Sequence, residues 1–168
     1  MKVFGIAGRS GAGKTTLLEK LVPELGSRGK LVSLIKHSHK HVDIDRPGKD
    51  SYRLRESGCK EVLLMGNDRW ALMHELRGQP EPQLDDLLAR MQDCDIVLVE
   101  GFKEGSFPKL EVWRECIAPA PLWPGLPGIK AIASDSDRPF EGVASLSLAD
   151  VAGIADFVLA HAQSVDAI

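Results

Sequence analysis

At 168 residues, 43% apolar and 27% charged, the chain has the size and composition of one globular domain with a sizeable core. A net charge of -3 and a pI near 6.0 argue against a generic polyanion binder, so any phosphate site must be built from locally placed basic residues. Three cysteines, Cys59, Cys94 and Cys116, are odd in number and form no CxxC pair, which argues against a disulfide framework and a thiolate zinc site.

In chain order, Lys2–Ala7 is a short apolar run ending in glycine, a buried strand. Across 14–28, Leu17, Leu18, Leu21, Val22 and Leu25 recur at helical spacing, with Pro23 expected to bend the helix and Gly29 to end it. Residues 31–36 read as a second strand and 37–49 as a polar loop. A short helix is expected over 50–57. Two strands follow, 61–66 and 69–76, joined by a tight turn at Asn67-Asp68. Leu84, Leu87, Leu88 and Met91 form a helical stripe, and IVLV at 96–99 is a strand buried on both faces. Residues 109–114 alternate as a strand, 118–128 form a proline-rich loop, 130–134 a short strand and 149–163 a closing helix.

Strands alternating with helices predict an α/β fold with a mostly parallel sheet, as one domain over 1–168 with a β-hairpin extension. Ligands in such sheets bind beyond the carboxyl ends of the strands. Gly8, Lys36, Glu100 and Ser134 all fall at such ends, so four separate stretches should meet on one rim. No apolar run approaches the roughly 20 residues that span a bilayer, and MKVFGIAG does not read as a secretory signal, so a cytoplasmic protein is expected.

The string GRSGAGKT, residues 8–15, matches GxxxxGK[ST] in full, after a predicted strand and before a predicted helix. Gly8, Ser10, Gly11, Ala12 and Gly13 offer backbone N–H groups to phosphate oxygens at a helix N-terminus. Lys14 reaches the terminal phosphates, and the Thr15 hydroxyl is a hard oxygen ligand for Mg²⁺. Glu100, at the end of the buried strand, is a second acid for the metal, one methylene longer than the more usual aspartate. Lys103 either faces phosphate or sits on an exposed loop.

The segment IKHSHKHVDIDRPGKDS is rich in functional side chains. His37, His39 and His41 alternate, so an extended chain puts them on one side, where they bind a metal, bind anions or are solvated. Lys49 and the helix start after it make a second anion site, unless Asp50 or Ser51 simply caps the helix. Asp43, Asp45 and Asp50 are candidates to position water or a metal. Asp135, at the end of a late strand, can accept from guanine N1–H and N2–H₂, a pair of donors that adenine lacks. Asp137 is a nearby alternative for that role.

Taken together, GRSGAGKTTLLEKLVPEL, LIKHSHKHVDIDRPGKDSYRLRESG, RWALM, IVLVEGFK, FPKLEV and AIASD resemble the molybdopterin-guanine dinucleotide biosynthesis protein B family along essentially the whole chain. The combination of KHxHK, PGKDS and VEGFK is much narrower than the phosphate loop alone. The resemblance implies a P-loop NTPase-like three-layer α/β sandwich and a homodimer. It implies GTP binding with Mg²⁺, weak GTPase activity and assistance to a partner guanylyltransferase that joins GMP to molybdopterin. Carried over by position, Gly11, Gly13, Lys14, Thr15 and Thr16 hold phosphates and metal, Glu100 is the second acid, and Asp135 reads guanine. Lys14 and Glu100 would then carry what catalysis there is. The basic loop 36–49 would touch the phosphate of molybdopterin or the partner enzyme. No nucleic acid or membrane partner is expected. Two rivals share the phosphate loop. One is a small-molecule kinase, drawing on Arg53, Arg55, Arg114 or Arg138 for a lid. The other is a metal-delivery GTPase using the three histidines.

Overall fold

The computed structural model describes residues 1–38, 42 and 44–167. The chain divides into two compact units, one formed by Met1–His37 with Leu84–Ile168 and the other by Ser38–Gln83.

In the larger unit, strands β1 (Lys2–Ala7) and β2 (Val32–Lys36) flank helix α1 (Lys14–Ser27) in sequence. The smaller unit holds α2 (Asp50–Glu56) and the antiparallel pair β3 (Glu61–Met65) and β4 (Trp70–His74). The larger unit resumes with α3 (Leu84–Leu88), β5 (Ile96–Glu100), β6 (Lys109–Trp113), β7 (Ile129–Ser134), β8 (Ala144–Ser147), α4 (Val151–His161) and the two-residue β9 (Gln163–Ser164). The main sheet runs in the order β2-β5-β1-β6-β7-β8, and every pairing along that path is parallel. β9 adds antiparallel to the start of β1.

Alternation along the central strands explains the three layers. On β1, Phe4 and Ile6 join α1 and α4 in one core, while Val3 faces a second core with Leu84 and Leu88 of α3. On β5, Ile96 and Leu98 take the first side, Val97 and Val99 the second. A strand covered on both faces has no polar side to show, which is why IVLV reads as a continuous apolar run.

Helix α1 has the expected bounds, and two other segments, α3 and β8, differ from expectation for physical reasons. Helix α1 continues through Pro23 to Ser27, and Gly29 lies just beyond its end as expected. Helix α3 stops at Leu88 rather than reaching Met91. Arg90 N–H and Met91 N–H instead donate to the carbonyls of Leu87 and Leu88 in tighter turns, which keep Met91 against the core. Strand β8, sequence ASLS, carries no β-branched or aromatic residue and is held by pairing to β7.

β6 is buried at all five positions, including Lys109 and Glu111. A buried charge must be hydrogen-bonded. Glu111 accepts from the Leu122 and Trp123 N–H groups at 2.6 and 3.0 Å, which pins the proline-rich loop to the sheet. Burial raises its pKa, against those two hydrogen bonds and the Arg9 charge. The Lys109 ammonium donates to the carbonyls of Gly105, Phe107 and Pro127 and lies 4.1 Å from the centre of the Phe107 ring. Burial lowers its pKa to about 8, from 10.5. The unfolded chain therefore binds more protons between those two values, so stability rises with pH across that window. Urea unfolding of wild type and Lys109→Met from pH 7 to 10.5 should show this rise in the wild type and a flatter profile in the variant.

Candidate phosphate and nucleotide site

β1 ends at Ala7, and residues 8–13 form the loop that delivers the chain into α1. Gly8 has φ +142, and a Cβ there would sit 2.5 Å from the Val112 carbonyl oxygen, so the loop passes over β6 only because this residue has no side chain. Gly13 occupies the N-cap position, offers no side-chain cap, and the first turn of α1 holds no acidic residue. The amide groups at this helix start are thus left facing the loop, where an anion is favoured. Ala12 is buried, and Thr15 and Thr16 are exposed at the start of the helix.

Lys14 curls back into the loop and donates to the carbonyls of Gly8 and Arg9 at 3.1 and 3.0 Å. Its ammonium lies 4.0 Å from Glu100 Oε1, and that of Lys36 lies 3.1 Å from Glu100 Oε2. Burial lowers the Lys14 pKa; Glu100 opposes this, and the charges of Lys103 and Lys36 add to it. Two ammonium groups therefore share one carboxylate, with the Lys103 charge also felt at Lys14, and the rim is locally positive although the whole chain is acidic. Glu100 is buried, and its Oε2 accepts no hydrogen bond; Lys36 approaches in ion-pair range without hydrogen-bond alignment.

The strand ends meet as the topology requires. Lys36 pairs in register with Glu100, and the His37 N–H donates to the Glu100 carbonyl at 2.8 Å. Gly101 and Phe102 then adopt φ +103 and +44 in succession, and the His37 ring packs on Phe102 with centroids 4.9 Å apart. Left-handed backbone at a non-glycine residue beside a buried acid is stored strain of the kind that collects at functional sites. A Cβ on Gly101 would lie 2.7 Å from His37 Cβ. Gly101→Ala should therefore destabilise the fold by about 2 kcal/mol or more, the sum of a left-handed alanine and a steric clash, seen as a lowered urea midpoint.

At the far side of the rim, Ser134 is buried and its hydroxyl accepts from Ser136 N–H at 3.0 Å. Asp135, the next residue, is exposed and ion-paired to Nη1 of Arg114. Arg114 Nε donates to the Ala12 carbonyl at 3.1 Å. The sequence reading considered Arg114 only as a lid arginine for a kinase; its signal is that it directly follows β6, between the phosphate loop and the end of β7.

In the smaller unit, Lys49 is the N-cap residue of α2, and Asp50 opens the helix without a side-chain cap from Lys49. Asp45 is buried and bound by Arg55, whose Nη2 lies 3.1 Å away, so this candidate water-positioning acid already has a structural partner. Asp43, His39 and His41 lie outside the described residues. Among the described residues, no group of three or more His, Cys, Asp or Glu is placed to hold a metal ion. No described helix is long and apolar enough to cross a membrane.

A parallel sheet whose first strand feeds a glycine-lined loop and an uncapped helix, with the loop lysine facing an acid from the adjacent strand, defines the class: a P-loop nucleotide-binding fold. The model of the family described as molybdopterin guanine dinucleotide synthesis protein B matches residues 3–135. The molybdopterin-guanine dinucleotide biosynthesis adapter protein of Escherichia coli (strain K12) is 41% identical over 164 residues, covering 96% of this chain and 93% of that protein. The adapter protein of Haemophilus influenzae is 49% identical over 116 residues, 67% of this chain and 64% of its own length. The chain belongs to the MobB family, and its role lies in molybdopterin guanine dinucleotide biosynthesis as an adapter protein. Crystal structures share the fold. One titled molybdopterin-guanine biosynthesis protein B (mobB) has a TM-score of 0.76 at 24% identity, covering 94% of this chain and 98% of its own. Bacillus subtilis MobB has a TM-score of 0.75 at 21% identity, covering 98% and 99%.

Proposed function

We propose that the chain binds GTP with Mg²⁺ at the rim of the parallel sheet, hydrolyses it slowly, and in that state assists the guanylyltransferase that joins GMP to molybdopterin. The observation that carries this reading is the pair Lys14 and Lys36 against Glu100 at the mouth of an uncapped helix, with the Lys103 charge felt at Lys14. Such a site favours an anion, and a glycine-lined loop ahead of a lysine suits a polyphosphate.

Mg²⁺ suits the donors present. Glu100 Oε2 is a buried carboxylate oxygen without a hydrogen bond, and the Thr15 hydroxyl stands at the helix start. Both are hard oxygens, the ligands this ion takes. When bound, the ion would neutralise charge on the phosphate oxygens. Lys14 leaves the Gly8 and Arg9 carbonyls for the terminal phosphates, and the amides of residues 11–16 cradle the rest. Hydrolysis is slow because the residues after Glu100, Gly101 and Phe102, supply no base to orient water. Asp135 selects guanine. The basic segment 36–49, with Lys49 at its end, faces the phosphate of molybdopterin or the partner enzyme.

Calorimetric titration with GTP in Mg²⁺ and again in EDTA tests the site. Chelation should weaken binding by at least about tenfold, as expected when a charge-bridging ion is lost. Equal affinity in EDTA would remove the metal from the account. Adding the protein to the purified guanylyltransferase, with GTP and molybdopterin, should raise the yield of dinucleotide.

A second copy of the chain is the expected neighbour of the hairpin. An isolated two-stranded hairpin is marginal in water, yet β3 and β4 expose Leu63, Leu64, Met65, Trp70 and Leu72, with Met65 83% accessible. An apolar two-stranded sheet of this kind suits pairing with its twin across a two-fold axis. Trp70→Asp should shift the protein from dimer to monomer in light scattering at micromolar concentration, with α/β circular dichroism retained.

A further inference from the structure

We propose that Arg114 is a positioning residue that ties the base-reading carboxylate of Asp135 to the phosphate loop, so that the carboxylate is held at a fixed place relative to the bound phosphates and the base is chosen more sharply. The inference rests on the GTP reading above and goes one step beyond it.

Arg114 leaves the end of β6, the strand between β1 and β7. From there its side chain spans both neighbours. Nε donates to the Ala12 carbonyl of the loop, and Nη1 donates to Asp135 Oδ2. The guanidinium also lies against Gly13, where a Cβ would be 3.5 Å from Nε and 3.7 Å from Nη2. The ion pair is one-third to one-half exposed on its two sides, the setting in which such pairs add little to stability. Its geometry is better explained by placement. A planar guanidinium presents its donors at fixed angles, so two acceptors bound to it are held at a fixed spacing.

The carboxylate keeps its capacity for the base. Each carboxylate oxygen has two acceptor sites, and Arg114 uses one of the four. Oδ1 and the second site of Oδ2 remain for guanine N1–H and N2–H₂. Arg114 therefore stays in place when the base arrives, and fixes the carboxylate relative to the loop that holds the phosphates. Without it, the exposed Asp135 side chain rotates freely and its hydrogen bonds to guanine cost more ordering.

The test is equilibrium affinity for GTP and for ATP in wild type, Arg114→Ala, Arg114→Lys, Asp135→Ala and the Arg114→Ala/Asp135→Ala pair. Urea unfolding verifies that each variant folds. Arg114→Ala should weaken GTP about tenfold and leave ATP within about twofold, an effect the size of one charged hydrogen bond. Arg114→Lys, which retains a charge but lacks the planar fork that fixes the spacing of two acceptors, should restore part of the preference. In the Asp135→Ala background, removing Arg114 should have no further effect on the GTP/ATP ratio. Equal weakening of both nucleotides would mean a merely structural role and overturn the proposal. So would an unchanged ratio in Arg114→Ala while the wild type prefers GTP, and that result would leave the guanine reading standing. A wild type without preference for GTP would remove both.

Discussion

Replacing Lys14 by alanine should lower GTP affinity by roughly 100-fold or more, a loss to be read by calorimetry in Mg²⁺. Each charge-assisted hydrogen bond contributes about 1.5–3 kcal/mol, and the lysine would make more than one to the terminal phosphates. The fold should survive the change. Among the described residues, Lys14 is bonded only to two loop carbonyls and, at 4.0 Å, to Glu100, which retains Lys36 at 3.1 Å. The unfolding midpoint should therefore move far less than the affinity. A variant that binds GTP as the wild type does would show that the loop amides alone hold the nucleotide.

Changing Asp135 to asparagine should move base preference from guanine to xanthine. In the proposed site the carboxylate would accept from both N1–H and N2–H₂ of guanine. Xanthine has a carbonyl in place of the 2-amino group, so an amide, with one acceptor and one donor, matches N1–H and that oxygen. Sites that read a base by hydrogen bonds discriminate strongly when a partner is lost. Asp135 is half exposed, which moderates the effect, so the expected change in the GTP/XTP affinity ratio is about 100-fold. Asp137 is the nearby alternative, and the same exchange there should leave the ratio unaltered. If Asp137→Asn switches the base and Asp135→Asn does not, the reader has been placed two residues too early.

The parts of this protein that were legible in the sequence are those whose physics is local. A strand buried on both faces must be apolar throughout, so Lys2–Ala7 and Ile96–Glu100 announced the sheet centre. A turn from a buried strand into a helix that passes close over a neighbouring strand needs glycine, so residues 8–13 announced the loop between β1 and α1. The hairpin was legible from two short strands joined by a tight turn at Asn67-Asp68.

What escaped has non-local causes. Lys109 and Glu111 make β6 look like a half-exposed strand, yet both are buried, satisfied by carbonyl and N–H groups from loops that the sequence does not place beside them. β8 has no hydrophobic pattern because its order comes from backbone pairing with β7. Arg114 and Asp135 are 21 residues apart and meet only because β6 and β7 are parallel neighbours. Lys36 was visible as a strand end, but its pairing with Glu100 follows from the order β2-β5-β1, which no local pattern encodes.

The central claim is that the positive rim grips a triphosphate while a carboxylate at the end of β7 selects guanine. Competitive titration of the purified protein with GTP and ATP in the presence of Mg²⁺ tests both halves at once. The account predicts GTP binding at least about tenfold tighter than ATP, the scale of one lost hydrogen-bonded partner. Equal affinity for the two nucleotides, or no saturable binding of either, would contradict it.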